Sequence, residues 1–179
     1  MYDVLIIGAG PAGKAAAIQA AAFKLSVMVA AKDEPAHEEM AENVLLNNAV
    51  INQKFKEAVS SGVVLYKSSL TITGLDKNIV SFSAEDKSGE IFYARAVIIA
   101  VGFDSQKNMA YADFESITHK DFAGRIKVDA NMATNIPGLF AAGDVTASFG
   151  LGAMLSASEG VKASLAAKEF LTNVSRSAK

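Results

Sequence analysis

Cysteine is absent from the 179 residues, and its absence excludes disulfide frameworks, thiolate nucleophiles, redox dithiols and thiolate-held iron–sulfur clusters within them. Histidine is scarce: His37 and His119 are the only two, which argues against a His-rich metal site. Positive charge is not in surplus. Lys and Arg number 17 against 19 Asp and Glu, so a general nucleic-acid binder is not expected. Long apolar runs are also missing, since residues 97–101 soon meet Gly102 and Asp104, far short of a membrane span. The apolar start has no basic leader and is broken by Gly8, Gly10 and Pro11, unlike a signal peptide. A soluble, cytoplasmic chain with no membrane and no nucleic-acid partner is expected. What the chain does have is core-forming material: 51% hydrophobic residues and a mean hydropathy of +0.25, which excludes disorder throughout.

The length suits one domain, 1–179, with a frayed tail at 175–179. Residues 4–7 form an apolar run ending at Gly8, as a doubly buried strand would. Residues 12–23 are Ala-rich and read as a buried helix. The run SVMVA at 26–30 reads as the next strand, completing a βαβ unit. A charged loop is expected at 32–42 and a helix over 53–61. Short strands follow at 63–66, 70–73, 79–84 and 90–93, with turns at Gly74, 76–78 and 88–89. The last three of these strands read as an antiparallel meander. AVIIAV at 96–101 reads as a central parallel strand, 125–128 and 139–142 as short strands, and 152–173 as a long helix. The sum is a three-layer α/β, Rossmann-like dinucleotide-binding fold with a parallel sheet and a small antiparallel β-meander.

Gly8-Ala9-Gly10-Pro11-Ala12-Gly13 fits G-x-G-x-x-G between a buried strand and a helix. Gly8 permits the tight turn, Gly10 lets a pyrophosphate approach the backbone, and Gly13 lets helix and strand pack closely. Pro11 suits the first helical turn, whose free N–H groups, Ala12 included, and dipole face an anion. The bland alternative is a glycine turn that binds nothing, and the βαβ context weighs against it. An acidic ribose ligand is expected about 20 residues further on. The second strand ends there at Ala31, followed by Lys32 and Asp33. Three readings stay open: Asp33 takes the ribose, Lys32 takes a phosphate, or both belong to a solvated charged run. Ser69, after the third strand, is a further candidate contact.

At the other end of the chain, residues 135–145 read as a strand that delivers Gly143-Asp144 to the carboxyl edge of the sheet, where open α/β sheets bind ligands. Ionised Asp144 suits a sugar hydroxyl, and the helix after it aims its positive end at the ligand.

Taken together, Gly8 to Gly13, Ala100-Val101-Gly102 and the stretch 139–145 resemble the three FAD-contacting motifs of the thioredoxin reductase branch of the pyridine nucleotide-disulfide oxidoreductases. Residues 152–171 resemble that branch's C-terminal helix. The resemblance implies that the first motif holds the FAD pyrophosphate and that Gly102 and its neighbours border the flavin. It implies that Asp144 bonds the ribityl chain and that Gly152, Ala153 and Met154 face the pyrimidine end of the ring. Val101 stands where the family has Thr. The departures are larger elsewhere. Residues 103–136 leave no room for the family's NADPH-binding domain, the redox Cys pair is missing, and the early Gly-Gly flavin contact is not visible. The expectation is therefore an FAD-binding flavoprotein without dithiol chemistry, reduced by NAD(P)H, a redox partner protein or another small donor. The alternatives are a flavin- or nucleotide-binding module without catalysis and an NAD(H)-binding dehydrogenase domain.

Met40, Val44, Leu45, Leu46 and Val50 form an apolar set suited to the core or to a homodimer interface, with the core favoured. His37 among Glu34, Glu38 and Glu39 reads as a solvated segment. His119 with Asp121 does not specify an acid–base pair, and Ser156 and Ser158 lack a neighbouring base. Tyr111 and Phe114 suit the flavin face or the gap left by the missing domain.

Overall fold

The computed structural model describes residues 1–32, 48–102, 118–119, 121, 124–147 and 152–177. Its strands are β1 (Tyr2–Ile7), β2 (Val27–Ala30), β3 (Val64–Lys67), β4 (Ile72–Lys77), β5 (Phe82–Asp86), β6 (Ile91–Ile99) and β7 (Leu139–Ala141). Its helices are α1 (Pro11–Ala22), α2 (Asn48–Ser60) and α3 (Ala153–Ser177).

The order β3-β2-β1-β6-β5-β4, with β7 also on β6, makes one mixed sheet of seven strands. β3, β2, β1, β6 and β7 run parallel, with Ile7 beside Ala30 and Ile99, and Ile99 beside Ala141. Alternation along each strand divides the core. Val4, Ile6, Val29, Ile98 and Phe140 pack with Ala12, Ala16 and Ala20 of α1 and Ala163 and Ala167 of α3. Leu5, Ile7, Met28, Val97 and Ile99 pack on the opposite face with Leu75, Phe82, Ala84 and Phe92 of the meander. The three layers are thus helices, parallel sheet and meander. Each large side chain so buried contributes about 1.5–3 kcal/mol.

The helix layer closes tightly because α1 and α3 are Ala-rich and Gly160 faces α1. A Cβ on Gly160 would lie 2.1 Å from the Ala12 carbonyl oxygen. α2 packs behind, its Phe55 ring edge-on to Tyr66 of β3 at 5.4 Å.

Several expected boundaries shift. The strands expected at 90–93 and 96–101 are one strand, β6. Its first part pairs antiparallel with β5 (Phe82 beside Ala94), and its second part pairs parallel with β7 (Val97 beside Leu139). Arg95 looks like a break between two apolar runs, but its guanidinium reaches Asp3 at 3.3 Å and Ser175 at 2.9 Å, so the strand continues. Gly74 is not a turn: it lies inside β4 at a register shift against β5. The turn between β4 and β5 falls just past the expected 76–78, where Asn78 N–H donates to Ser81 O at 2.8 Å, leaving Ile79 and Val80 exposed at its tip. Residues 125–128 form no named strand, although Ile126 N–H donates to Val145 O at 2.9 Å. α2 begins at Asn48, ahead of the expected start. α3 runs on to Ser177, past the expected start of fraying, and Ser175 Oγ donates to Leu171 O.

Candidate functional site

The parallel register brings the carboxyl ends of β1, β2, β6 and β7 to one edge. Gly8 N–H donates to Ala30 O at 2.8 Å, Ala100 N–H to Ile7 O at 2.8 Å and Ala142 N–H to Ile99 O at 2.9 Å. The three sequence motifs therefore leave the sheet side by side.

In the first motif, Gly8 has φ +108 and a Cβ there would lie 2.2 Å from Ala100 O. A Cβ on Gly13 would lie 2.0 Å from Gly8 O. Both positions admit only glycine, because the turn folds back onto β6 and α1 sits directly over it. Pro11 opens α1 behind the N-cap Gly10, with no side-chain cap and no acidic residue in the first turn. The first-turn N–H groups and the positive end of the dipole thus have no side-chain cap and no neighbouring carboxylate of their own helix.

Asp144 follows β7. Its flanking peptides are held firmly: Gly143 N–H donates to Glu159 Oε2 at 2.8 Å, while Gly143 O accepts from Thr146 N–H at 2.8 Å and Thr146 Oγ at 2.9 Å. The turn also touches the first motif, since a Cβ on Gly143 would lie 3.0 Å from Ala12 Cβ. Asp144 Oδ1 is buried and has no hydrogen-bond partner among the described residues.

The remaining candidates divide. Ala31 is buried beside β3, its N–H donating to Lys67 O at 3.0 Å and its carbonyl accepting from Leu70 N–H at 2.9 Å. Ser69 is exposed within this connection, with φ +58. Lys32 is exposed. Ala100 is buried, while Val101 and Gly102 are partly exposed at the edge. Gly152 and Met154 are exposed and Ala153 partly so, at the start of α3. Asp33, the His37 segment, Met40, Val44, Leu45, Leu46, Tyr111 and Phe114 lie outside the described residues. Val50, expected in the core, is exposed on α2. Asp121 is engaged by Arg125 at 2.7 Å, and His119 is exposed with its backbone N–H on Asn135. Ser156 is buried in α3 and Ser158 exposed.

Two residues carry no recognisable motif in the sequence yet hold the site's surroundings. Glu159 is one, its carboxylate buried against the Gly143 turn; a glutamate beside a mid-helix glycine was the available signal. Lys14 is the other. It is buried in α1, and its Nζ donates to Asn52 of α2. Burial, aided by the neighbouring charge of Lys56, holds its pKa below the usual lysine value.

Comparison with known proteins bears on the family and the fold. Residues 50–167 match the family model described as pyridine nucleotide-disulphide oxidoreductase, and residues 3–45 match the FAD binding domain model. The NADH dehydrogenase of Ferdinandcohnia aciditolerans is 31% identical over 170 residues, covering 94% of this chain and 30% of that protein. A component of alkyl hydroperoxide reductase in Escherichia coli is 29% identical over 169 residues, covering 94% and 30%. Among solved structures, Lactococcus lactis thioredoxin reductase superposes with a TM-score of 0.77 at 16% identity, covering 97% of this chain and 100% of that one. The fold is shared with that reductase. The chain spans only 30% of the length of the two curated relatives.

Proposed function

Since this chain belongs to the pyridine nucleotide-disulphide oxidoreductase family, an FAD-binding family of oxidoreductases, we propose that it carries FAD across the carboxyl edge of its parallel sheet and serves flavin redox chemistry. The observation that carries this reading is the buried Asp144 Oδ1, without a partner among the described residues, beside the glycine turn. A buried polar atom without a partner is costly, and a ligand hydroxyl satisfies it. Ala12 and Gly13 offer first-turn backbone N–H groups to the pyrophosphate, Gly8 and Pro11 shape the turn, Gly10 lets the diphosphate approach the backbone, and Asp144 accepts a bond from the sugar-alcohol chain. Ala31, Lys32 and Ser69 border the adenosine end. Ala100, Val101 and Gly102 line the ring side, and Gly152, Ala153 and Met154 turn the positive end of α3 toward it, favouring negative charge there. When bound, FAD supplies the electron-accepting ring, while the chain orients it and tunes it electrostatically.

The electron source is NAD(P)H as a transient donor or a redox partner protein, and these residues contain no cysteine for a dithiol of their own. Cytoplasmic location and a homodimer covering the ring complete the proposal. A second reading, a flavin-holding module without catalysis of its own, is favoured by the short path from β6 to β7. Only residues 100–138 separate these paired strands, too few for a nicotinamide-binding domain.

The absorbance spectrum of the purified chain, before and after incubation with FAD, tests the first claim. Flavin bands that survive gel filtration are expected; a chain that cannot be loaded overturns the reading. Anaerobic mixing of the loaded chain with NADH or NADPH then separates the two versions. Prompt bleaching supports the oxidoreductase, and a persistent yellow colour supports the module.

A further inference from the structure

We infer that Glu159 is the positioning residue for Asp144, acting through the Gly143 peptide; this rests on the FAD-binding reading above. Glu159 is 5% exposed and lies one position before Gly160, whose Cα packs against the Ala12 carbonyl of α1 so tightly that a Cβ would not fit. Carboxylates are rarely buried to this degree without bonding partners. Here the Oε2 atom accepts the Gly143 N–H at 2.8 Å, and Thr146 Oγ lies 3.4 Å from the same atom. Thr146 closes the other side of the turn by donating twice to Gly143 O. Both polar groups of Gly143 are therefore anchored immediately before Asp144.

The consequence follows from geometry. Asp144 has only two side-chain torsions, so once its backbone is fixed the reach of its carboxylate is largely fixed too. Without Glu159, the Gly143 N–H at the end of β7 loses its acceptor, and a glycine at φ +82 has other conformations open to it. A turn free to reorient presents Asp144 to the cleft for only part of the time. Ligand affinity then falls by the competent fraction.

The test compares Glu159→Ala, Glu159→Gln, Asp144→Asn and the double variant Glu159→Ala/Asp144→Asn for FAD affinity, with hydrogen exchange of the Gly143 amide measured on the FAD-free chains. Glu159→Ala should lose Gly143 protection and weaken FAD binding by about tenfold or more, the scale of one hydrogen bond to a charged group. Glu159→Gln keeps an acceptor oxygen and should restore most of both. The two single losses should be strongly non-additive in the double variant, because one residue acts through the other. Leu171→Ala, lower on the same helix, controls for general loosening of α3: it should lower thermal stability while leaving FAD affinity close to that of the parent. Additive losses, no rescue by glutamine, or an equal affinity loss in Leu171→Ala overturns the proposal. If the unmodified chain takes up no FAD, the functional reading fails first. If it loads and Glu159→Ala loads equally well, only the role of Glu159 is lost.

Discussion

Gly13 and Gly160 show how little a single atom can be tolerated in this molecule. A methyl group at either position would sit about 2 Å from a backbone carbonyl oxygen, that of Gly8 or of Ala12, and backbone cannot rotate aside as a side chain can. Gly160→Ala should therefore push α3 off α1 at a cost of about 1–3 kcal/mol or more, a fall in Tm of about 2–4 °C per kcal/mol for a chain of this size. Thermal unfolding followed by circular dichroism reads this directly, and an unchanged Tm would show that the helices have slack that the packing denies. Gly13 was legible in the sequence because it belongs to a spaced motif. Gly160 was not, because a lone glycine in an Ala-rich helix carries no mark of its neighbour across the interface. Asp144 was legible as a residue, but its buried, unsatisfied oxygen and its dependence on Glu159 are not properties of sequence spacing.

At the amino edge of the sheet, opposite the site, Asp3 joins several elements. Its Oδ2 accepts from Ser26 N–H at 2.9 Å and Ser26 Oγ at 3.0 Å, its Oδ1 accepts from Arg95 at 3.3 Å, and Arg95 continues to Ser175 of α3. Burial pushes the Asp3 carboxyl up, but the bonds from Ser26 and Arg95 outweigh it and hold the pKa below 3.8. Because the folded-state value is the lower one, the contribution to stability is fully present above 3.8 and is lost as pH falls through the folded-state pKa. Asp3→Asn should thus be less stable than the parent in urea at neutral pH, and the gap should close in acid; a gap independent of pH would deny the charge any role. This network also explains the continuity of β6. A charged residue between two apolar runs suggests two strands, yet the charge is held at the sheet's edge while the backbone ladder passes through. Likewise the apolar Ile79 and Val80 imitate a strand start but cap an exposed turn, because a hairpin's register depends on its partner strand rather than on its own hydropathy.

The molecule as a whole depends on the meander to cover the face of the parallel sheet that carries no helix. Phe82 sits fully buried at that junction, with Leu5, Ile7, Val97 and Ile99 in the same apolar cluster. Phe82→Ala should cost about 3–5 kcal/mol and lower the urea midpoint without changing the slope of the transition. If the meander instead unfolded separately, two transitions would appear. FAD should raise the midpoint of the intact chain by an amount that grows with the logarithm of free FAD relative to its Kd, a measure of binding independent of colour.

The opening strand–helix–strand unit, the glycine turn, the Gly-Asp pair and the long last helix were written in the chain, because strand and helix periodicity and the backbone freedom of glycine are local properties. The choice of which face each strand shows to the meander, the merging of two apolar runs into β6, the α1–α3 contact at Gly160 and the grip of Glu159 on Gly143 arise from residues far apart in sequence. Their energies come from close packing and from satisfying buried polar groups, and those exist only once the layers have met.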